Sequence, residues 1–253
     1  EGPGVRILVC VKRVPAPGAK ISLTEDGRAI ETAHLSFTTS PHEECAVEAA
    51  IQLKEAHGGS VEVLTLGPPE AEEQLRYAAS VGADGATLVP AGDGEVDPQA
   101  TASGLLSAIR ALEADGTFDL ILFGNESADA GNFQVGIRVA HGLGRPVVSG
   151  IKGIEIDGGT VVARRETGAG FEVYRLPMPA VLAVKEGIAL PRYPTLSGRL
   201  KSKKLEIRRH EADLSPGGLR MVRFESPPEQ ESTTEILADA AAVADVLEEL
   251  GVL

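Results

Sequence analysis

The residues whose types and spacing could do chemistry are concentrated between positions 120 and 136, LILFGNESADAGNFQVG. Leu120, Ile121, Leu122 and Phe123 form an apolar run that Gly124 breaks. Asn125, Glu126, Ser127, Ala128, Asp129, Ala130 and Gly131 follow, and Asn132, Phe133, Gln134 and Val135 lead into a periodic segment that continues through Val139 and Leu143. The pattern is strand, polar loop and helix, with the helix expected to open at Asn132. In open α/β folds such loops, at the carboxyl edge of a parallel sheet, are where ligands bind. First-turn amides lack helical partners and favour an anion. A nucleotide with its phosphates at this loop is the expectation; an ordinary strand-to-helix turn is the alternative that this stretch alone leaves open.

Other polar groups stand where strand ends and helix starts are expected. Lys12 and Arg13 follow the run Val5 to Val11, and two cations there could meet a phosphate or a carboxylate. Ser40, Pro41, His42 and Glu43 read as a helix start, with Ser40 as cap, Pro41 at the first helical position and Glu43 completing a capping box. Cys10 and Cys45 are the only cysteines, and neither has a C-x-x-C partner. A zinc or iron–sulfur site built from them is not expected, and two cysteines do not make a disulfide framework. There is no G-x-G-x-x-G after the first strand and no G-x-x-x-x-G-K-[ST], so neither the dinucleotide fingerprint nor a Walker loop is present.

The elements that must position these groups alternate. Strands are expected at Val5 to Val11, Val61 to Leu66, Ala86 to Val89, Leu120 to Phe123 and Val147-Val148. Helices are expected from Ser40 to Gly58, Glu70 to Val81, Asp97 to Gly116 and from Asn132. That order implies a mostly parallel, doubly wound, Rossmann-like α/β sheet. After Gly150 the period becomes two, and residues 151–184 read as antiparallel strands extending the sheet, with Arg164, Arg165, Glu166 and Glu172 as candidate cross-strand pairs on solvated faces. Residues 185–204 carry Leu190, Tyr193, Leu196 and Leu200 in a stretch too punctuated for a regular helix. This is an exposed loop with apolar anchors and a basic end, a candidate contact surface. Residues 205–230 read as an arm, and residues 232–250 as an amphipathic helix with Ile236, Ala240, Val243 and Leu247 on its stripe. One nucleotide-binding α/β domain over residues 1–204 and a docking arm and helix over 205–253 is the expected organisation.

Bulk properties limit the function. The chain has 253 residues, 43% hydrophobic and 4% aromatic, enough for a packed core of small apolar residues. A net charge of −13 argues against a nonspecific nucleic-acid binder, which needs a basic face. No apolar run approaches the ~20 residues of a membrane span. The first residues carry neither a basic leader nor a cleavage-site pattern, and two cysteines without a disulfide framework make a reducing cytoplasm the expected location.

Several stretches together resemble the β subunit of electron transfer flavoproteins. The most specific are Val162-Ala-Arg-Arg-Glu with Leu176-Pro-Met-Pro-Ala-Val, and Pro191-Arg192-Tyr193-Pro194-Thr195-Leu196 through Lys201-Ser-Lys-Lys204. Val9-Cys-Val-Lys-Arg13, Ser40-Pro41 with Ala46-Val47-Glu48, Val81-Gly-Ala-Asp84 and the Gly124 loop support them. The resemblance implies a heterodimer with an α subunit that holds most of the redox-active FAD, and a structural AMP in this chain. It implies electron flow from flavin dehydrogenases to an acceptor oxidoreductase. By position it places the nucleotide contacts on Cys10, Ser40, Pro41, His42, Glu43, Leu66 and Gly124 to Val135. It also makes residues 185–204 a partner-recognition loop, with Leu196 as the apolar anchor. His42, Glu43, Pro17 and Leu196-Ser197-Gly198 depart from the usual pattern. A branch of the family binds a second FAD in the β pocket and splits electron pairs, and this stays open beside AMP.

No nucleophile–base pair, metal cluster or paired carboxylates emerge from the sequence, so an electron carrier subunit without its own turnover is expected. An ATP-using enzyme of the same α/β class would need a phosphate loop and a metal-binding carboxylate. A nucleotide-controlled adaptor would rest on the recognition loop alone.

Overall fold

In the computed structural model, residues 4–92, 94, 96–228, 234 and 236–252 are described. The strand β1 (Val5–Cys10) shows why its sequence is apolar throughout. Ile7 and Val9 face one hydrophobic cluster and Leu8 and Cys10 the other, so both faces are covered. Beyond β1 the chain makes a two-stranded antiparallel ribbon, β2 (Arg13–Pro15) with β3 (Phe37–Thr39), which delivers it to helix α1 (Pro41–His57).

Then come β4 (Gly59–Gly67), a 3-10 turn (Pro69–Ala71) running into α2 (Glu72–Val81), β5 (Gly85–Pro90), α3 (Pro98–Leu112), β6 (Leu120–Gly124), α4 (Val135–Leu143) and β7 (Val147–Asp157). A hairpin, β8 (Thr160–Thr167) and β9 (Gly170–Pro177), leads to β10 (Ala180–Val184), α5 (Leu196–Lys204), β11 (Ile207–Arg209) and α6 (Ala240–Glu249). The main sheet has nine strands in the order β11-β5-β4-β1-β6-β10-β7-β8-β9. All pairs from β11 to β7 are parallel; β7–β8 and β8–β9 are antiparallel. Helices α1 and α2 cover one face, with Ala46, Ala50, Ile51 and Leu75 in its cluster. Helices α3 and α4 cover the other, with Leu105, Ile109 and Val139. The doubly wound, mostly parallel sheet with an antiparallel extension is therefore as expected.

Away from the crevice and the 185–204 segment, four elements differ from the sequence reading. Ala180 to Val184 is not antiparallel: β10 lies between β6 and β7, parallel to both, with all five residues buried. An unbroken apolar run marks such a doubly covered strand, whereas the antiparallel strands β8 and β9 carry exposed polar residues. Val147-Val148 and Ile154-Glu155-Ile156 belong to one 11-residue strand that pairs parallel at its start and antiparallel at its end. Gly150, at φ 73°, and Gly153 sit where its register shifts. The arm expected from residue 205 first adds β11 to the sheet edge, held by Arg208 to Glu62 and Arg209 to Glu72. The C-terminal helix begins at Ala240, N-capped by Asp239, rather than at Ser232, which lies outside the described residues. The four candidate residues are paired rather than merely solvated: Arg165 with Glu172, Arg164 with Glu155 and Glu166 with Lys152, at surface positions where such pairs contribute ~0–1 kcal/mol.

Candidate functional site

From β1 the chain moves to β4 on one side and later to β6 on the other, so the strand order reverses beside β1. The crevice outside the carboxyl ends of such strands is the ligand position in open α/β sheets. Register places Cys10 between Leu64 and Phe123, so the loops after β1 and β6 emerge side by side. Lys12 then meets a carboxylate: its Nζ lies 2.7 Å from Asp129 Oδ2 in the β6 loop. Arg13 instead stacks 3.5 Å from the Phe37 ring centroid. Burial alone would raise the Asp129 carboxyl, but the Lys12 ammonium and hydrogen bonds from Ser127 and Ala130 outweigh it, leaving it below its usual range.

Helix α1 enters the crevice with its first turn. Ser40 is the N-cap residue and Pro41 the first helical one, as expected, but no side chain caps the helix. The Ser40 hydroxyl is 3.5 Å from the Glu126 carbonyl oxygen. Glu43 does not turn back to close a capping box either. It is buried and accepts the Lys12 N–H at 2.7 Å. Burial, opposed in part by Lys12, pushes its carboxyl up to about 8, so it is neutral at pH 7 and presents no anion to the crevice. Gly124 makes this packing possible: a Cβ there would stand 2.6 Å from Glu43 Cγ and 3.3 Å from both His42 Cβ and the Glu126 carbonyl oxygen. His42 accepts the Glu186 N–H at Nδ1 (2.7 Å), which leaves the proton of the neutral ring on Nε2, 3.4 Å from Glu126 Oε1.

The β6 loop does not become helical at Asn132. A turn closes by Gly131 N–H to the Ser127 carbonyl, Gly131 and Phe133 adopt φ 55° and 56°, and α4 starts at Val135. Gln134 is its N-cap residue and provides no side-chain cap. The two helices that open at the crevice, α1 and α4, are thus both uncapped. Asp97, Thr195 and Asp239 cap α3, α5 and α6, while α2, which continues from the 3-10 turn at Pro69–Ala71, has no side-chain cap either. Uncapped first-turn amides suit a phosphate, and Lys12 is the cation beside them; at α1 Pro41 has no N–H and the Glu43 N–H bonds the Ser40 carbonyl, so α1 offers the His42 amide. The residues present therefore fit a nucleotide such as AMP. Ser40, Asp129 and the Gly124 to Val135 backbone would hold it, with Cys10 and Leu66 on the strands flanking the crevice and His42, whose two ring nitrogens face Glu186 and Glu126, in its wall. Asn125 has another duty: its N–H bonds to the Val184 carbonyl and its Oδ1 accepts the Gly150 N–H. Cys10 is buried, and burial raises its thiol well above the usual value, so it is no nucleophile. Among the described residues no group of three or more His, Cys, Asp or Glu is placed to hold a metal ion.

The expected recognition loop is partly a helix. Thr195 caps α5, and Arg76 donates to the Ser202 and Leu205 carbonyls at its other end. Gly198 allows α5 to lie on α2, because a Cβ there would be 2.1 Å from the Ser80 carbonyl oxygen. Leu190, Tyr193, Leu196 and Leu200 remain exposed, Leu196 at 77%. Pro191 and Pro194 stand in a run without regular secondary structure before α5, and Lys201, Lys203 and Lys204 make its last turn basic. Arg192 does not project: it binds Glu48 and Glu55 of α1 bidentately. Burial would raise the Glu48 carboxyl, but hydrogen bonds from Arg192 and Gln52 outweigh it and hold it below its usual value.

Comparison with known proteins decides the family. Residues 29–215 match the model of the electron transfer flavoprotein domain. The chain belongs to the electron transfer flavoprotein family. It is 34% identical over 246 residues to electron transfer flavoprotein subunit beta of Syntrophomonas wolfei, covering 97% of this chain and 95% of that one. It is 35% identical over 195 residues to the Bacillus subtilis subunit beta, 75% of each chain. It is also 33% identical over 212 residues to the acryloyl-CoA reductase electron transfer subunit gamma of Anaerotignum propionicum, 82% of this chain and 79% of that one. The resemblance read from the sequence is therefore correct at the level of the family and of the β subunit. No helix among the described residues is long and apolar enough to cross a membrane. Within this electron transfer flavoprotein chain, the Lys12 cation meets a carboxylate, one of the two partners the sequence offers it, but Asp129 lies 117 positions away, and Glu186, 144 positions from His42, carries no local signal. The only local signal was the pair of cations at the end of β1.

Proposed function

We propose that this chain is the β subunit of a heterodimeric electron transfer flavoprotein that holds a structural AMP in the β1–β6 crevice and docks electron-donating dehydrogenases through residues 185–204. The observation that carries the nucleotide is the pair of uncapped helix starts, α1 and α4, at one crevice beside Lys12. FAD, held mainly by the α subunit, supplies the electron-carrying chemistry when bound. This chain's own residues bind the nucleotide, complete the heterodimer and present the docking surface, without independent turnover. The relative that serves acryloyl-CoA reductase points to acyl-CoA-oxidising or -reducing flavoenzymes as the partner class.

The test is to copurify the chain with its α subunit and mix the complex anaerobically with dithionite, then with an acyl-CoA dehydrogenase reduced by its substrate. Flavin bleaching in both is expected; a complex with no flavin that takes up no electrons from either overturns the proposal. Turnover of Mg·ATP by the isolated chain would favour the ATP-using class instead.

Two variants address the parts separately. Asp129→Ala removes the partner of Lys12 and the loop hydrogen bonds from Ser127 and Ala130, and is expected to release AMP during dialysis that the wild type withstands. Full retention counts against the loop. Leu196→Ala is expected to weaken docking by about 1.5–3 kcal/mol, the range for burying such a side chain in a partner pocket. Transfer from the dehydrogenase falls while flavin content stays the same; an unchanged rate removes the anchor role.

A further inference from the structure

The recognition segment and the nucleotide crevice are separate features in the sequence, yet one helix touches both. Along α1 the contacts recur every three residues. His42 takes the Glu186 N–H, Cys45 faces the backbone amides of Gly187 and Ala189, and Glu48 takes the Arg192 N–H and guanidinium. Residues 186–192 are thus laid along α1 from its first turn, and α5 continues onto α2 at Ser80. The first turn of α1 is also a wall of the crevice, with His42 Cβ and Glu43 Cγ against Gly124.

We propose that His42 is a positioning residue that couples occupancy of the β1–β6 crevice to the order of the recognition segment, because its ring spans Glu126 in the β6 loop and the Glu186 amide at the segment's start. Its two nitrogens have distinct partners: Nε2 stands 3.4 Å from Glu126 Oε1 and Nδ1 accepts from Glu186 at 2.7 Å. The side chain is only 19% exposed, so the ring has little room to rotate away. A nucleotide that fixes Glu126 fixes the ring, and the ring fixes the first amide of the segment. A ligand shifts such an equilibrium only through a differential contact, and the backbone of the β6 loop that carries Glu126 would provide it. The link from Asn125 N–H to the Val184 carbonyl joins the same loop to the end of β10 independently of His42, and remains in a His42 variant as a reference. This inference rests on the nucleotide reading of the crevice.

The experiment is hydrogen exchange read by mass spectrometry on the complex with the α subunit, nucleotide-depleted and then saturated with AMP. AMP is expected to slow exchange in residues 124–135, and to slow the Glu186 amide and those following by about fivefold or more, the lower end of ordinary coupling between sites. His42→Ala is studied at saturating AMP, with occupancy read from the protection at 124–135; at equal occupancy the response at 186–192 is lost. His42→Asn keeps an acceptor for the Glu186 amide but does not reach Glu126. It is expected to keep the basal protection of Glu186 and lose its AMP response, a separation that a purely structural role does not give. Protection at 124–135 with no change at 186–192 in the wild type overturns the coupling, as does a response that survives in both variants. AMP that protects neither region overturns the nucleotide reading, and the coupling falls with it.

Discussion

Replacing Glu43 with glutamine stabilises the protein, and more so as the pH rises from 5 to 8. Burial raises this carboxyl from an ordinary 4.5 to about 8 in the folded chain. Between those values the folded state holds a proton that the unfolded state has released. Stability therefore falls with rising pH across that window and levels off above it. Glutamine keeps an acceptor for the Lys12 N–H and removes the titration. Its advantage is under about 1 kcal/mol near pH 5 and reaches roughly 5 kcal/mol above pH 8. Urea unfolding of both forms at pH 5, 7 and 9 measures it, and a constant difference would show that Glu43 is ionised in the fold. The same titration bears on the site. Neutral Glu43 allows a phosphate nearby at pH 7; once ionised it repels one, so nucleotide loss above pH 8 is expected in the wild type and not in Glu43→Gln.

Gly198→Ala is expected to detach α5 from α2. In a helix interior alanine is favoured over glycine by about 1 kcal/mol. Here the new Cβ would lie 2.1 Å from the Ser80 carbonyl oxygen and 3.2 Å from Thr195 Oγ1. Backbone must move, at a cost of about 1–3 kcal/mol or more, and the clash outweighs the propensity. Since α5 carries Leu196 and Leu200, transfer from the dehydrogenase should fall about tenfold or more, equivalent to ~1.4 kcal/mol of docking. Flavin and nucleotide contents stay the same, and proteolysis within residues 185–204 rises. Unchanged transfer and unchanged proteolysis would mean that α5 does not need its seat on Ser80.

The alternation of runs such as VRILVC and LILF with helix starts made the doubly wound sheet legible, because parallel strands covered on both faces are apolar throughout. The Gly124 break located the crevice. The pairing of β10 was missed although AVLAV carried the signal of an interior strand. The helix at 196–204 was hidden because Gly198 reads locally as a breaker, whereas the glycine serves a contact with Ser80. Ser40-Pro41 gave the start of α1, but Glu43 left its capping role for the Lys12 amide 31 positions away. Strand β11 is three polar-flanked residues whose only reason to be a strand is the open edge of β5. Local pattern reads elements; pairs such as Lys12–Asp129, His42–Glu186 and Arg192–Glu48 are set by topology alone.

The most direct measurement of the central claim is to coexpress the chain with its α subunit, denature the purified complex and quantify FAD and AMP per heterodimer. One FAD and one AMP is the expected result, with the AMP held between the starts of α1 and α4. Two FAD and no AMP would contradict it: the crevice of this chain would then hold a second flavin, and splitting of electron pairs would replace simple transfer.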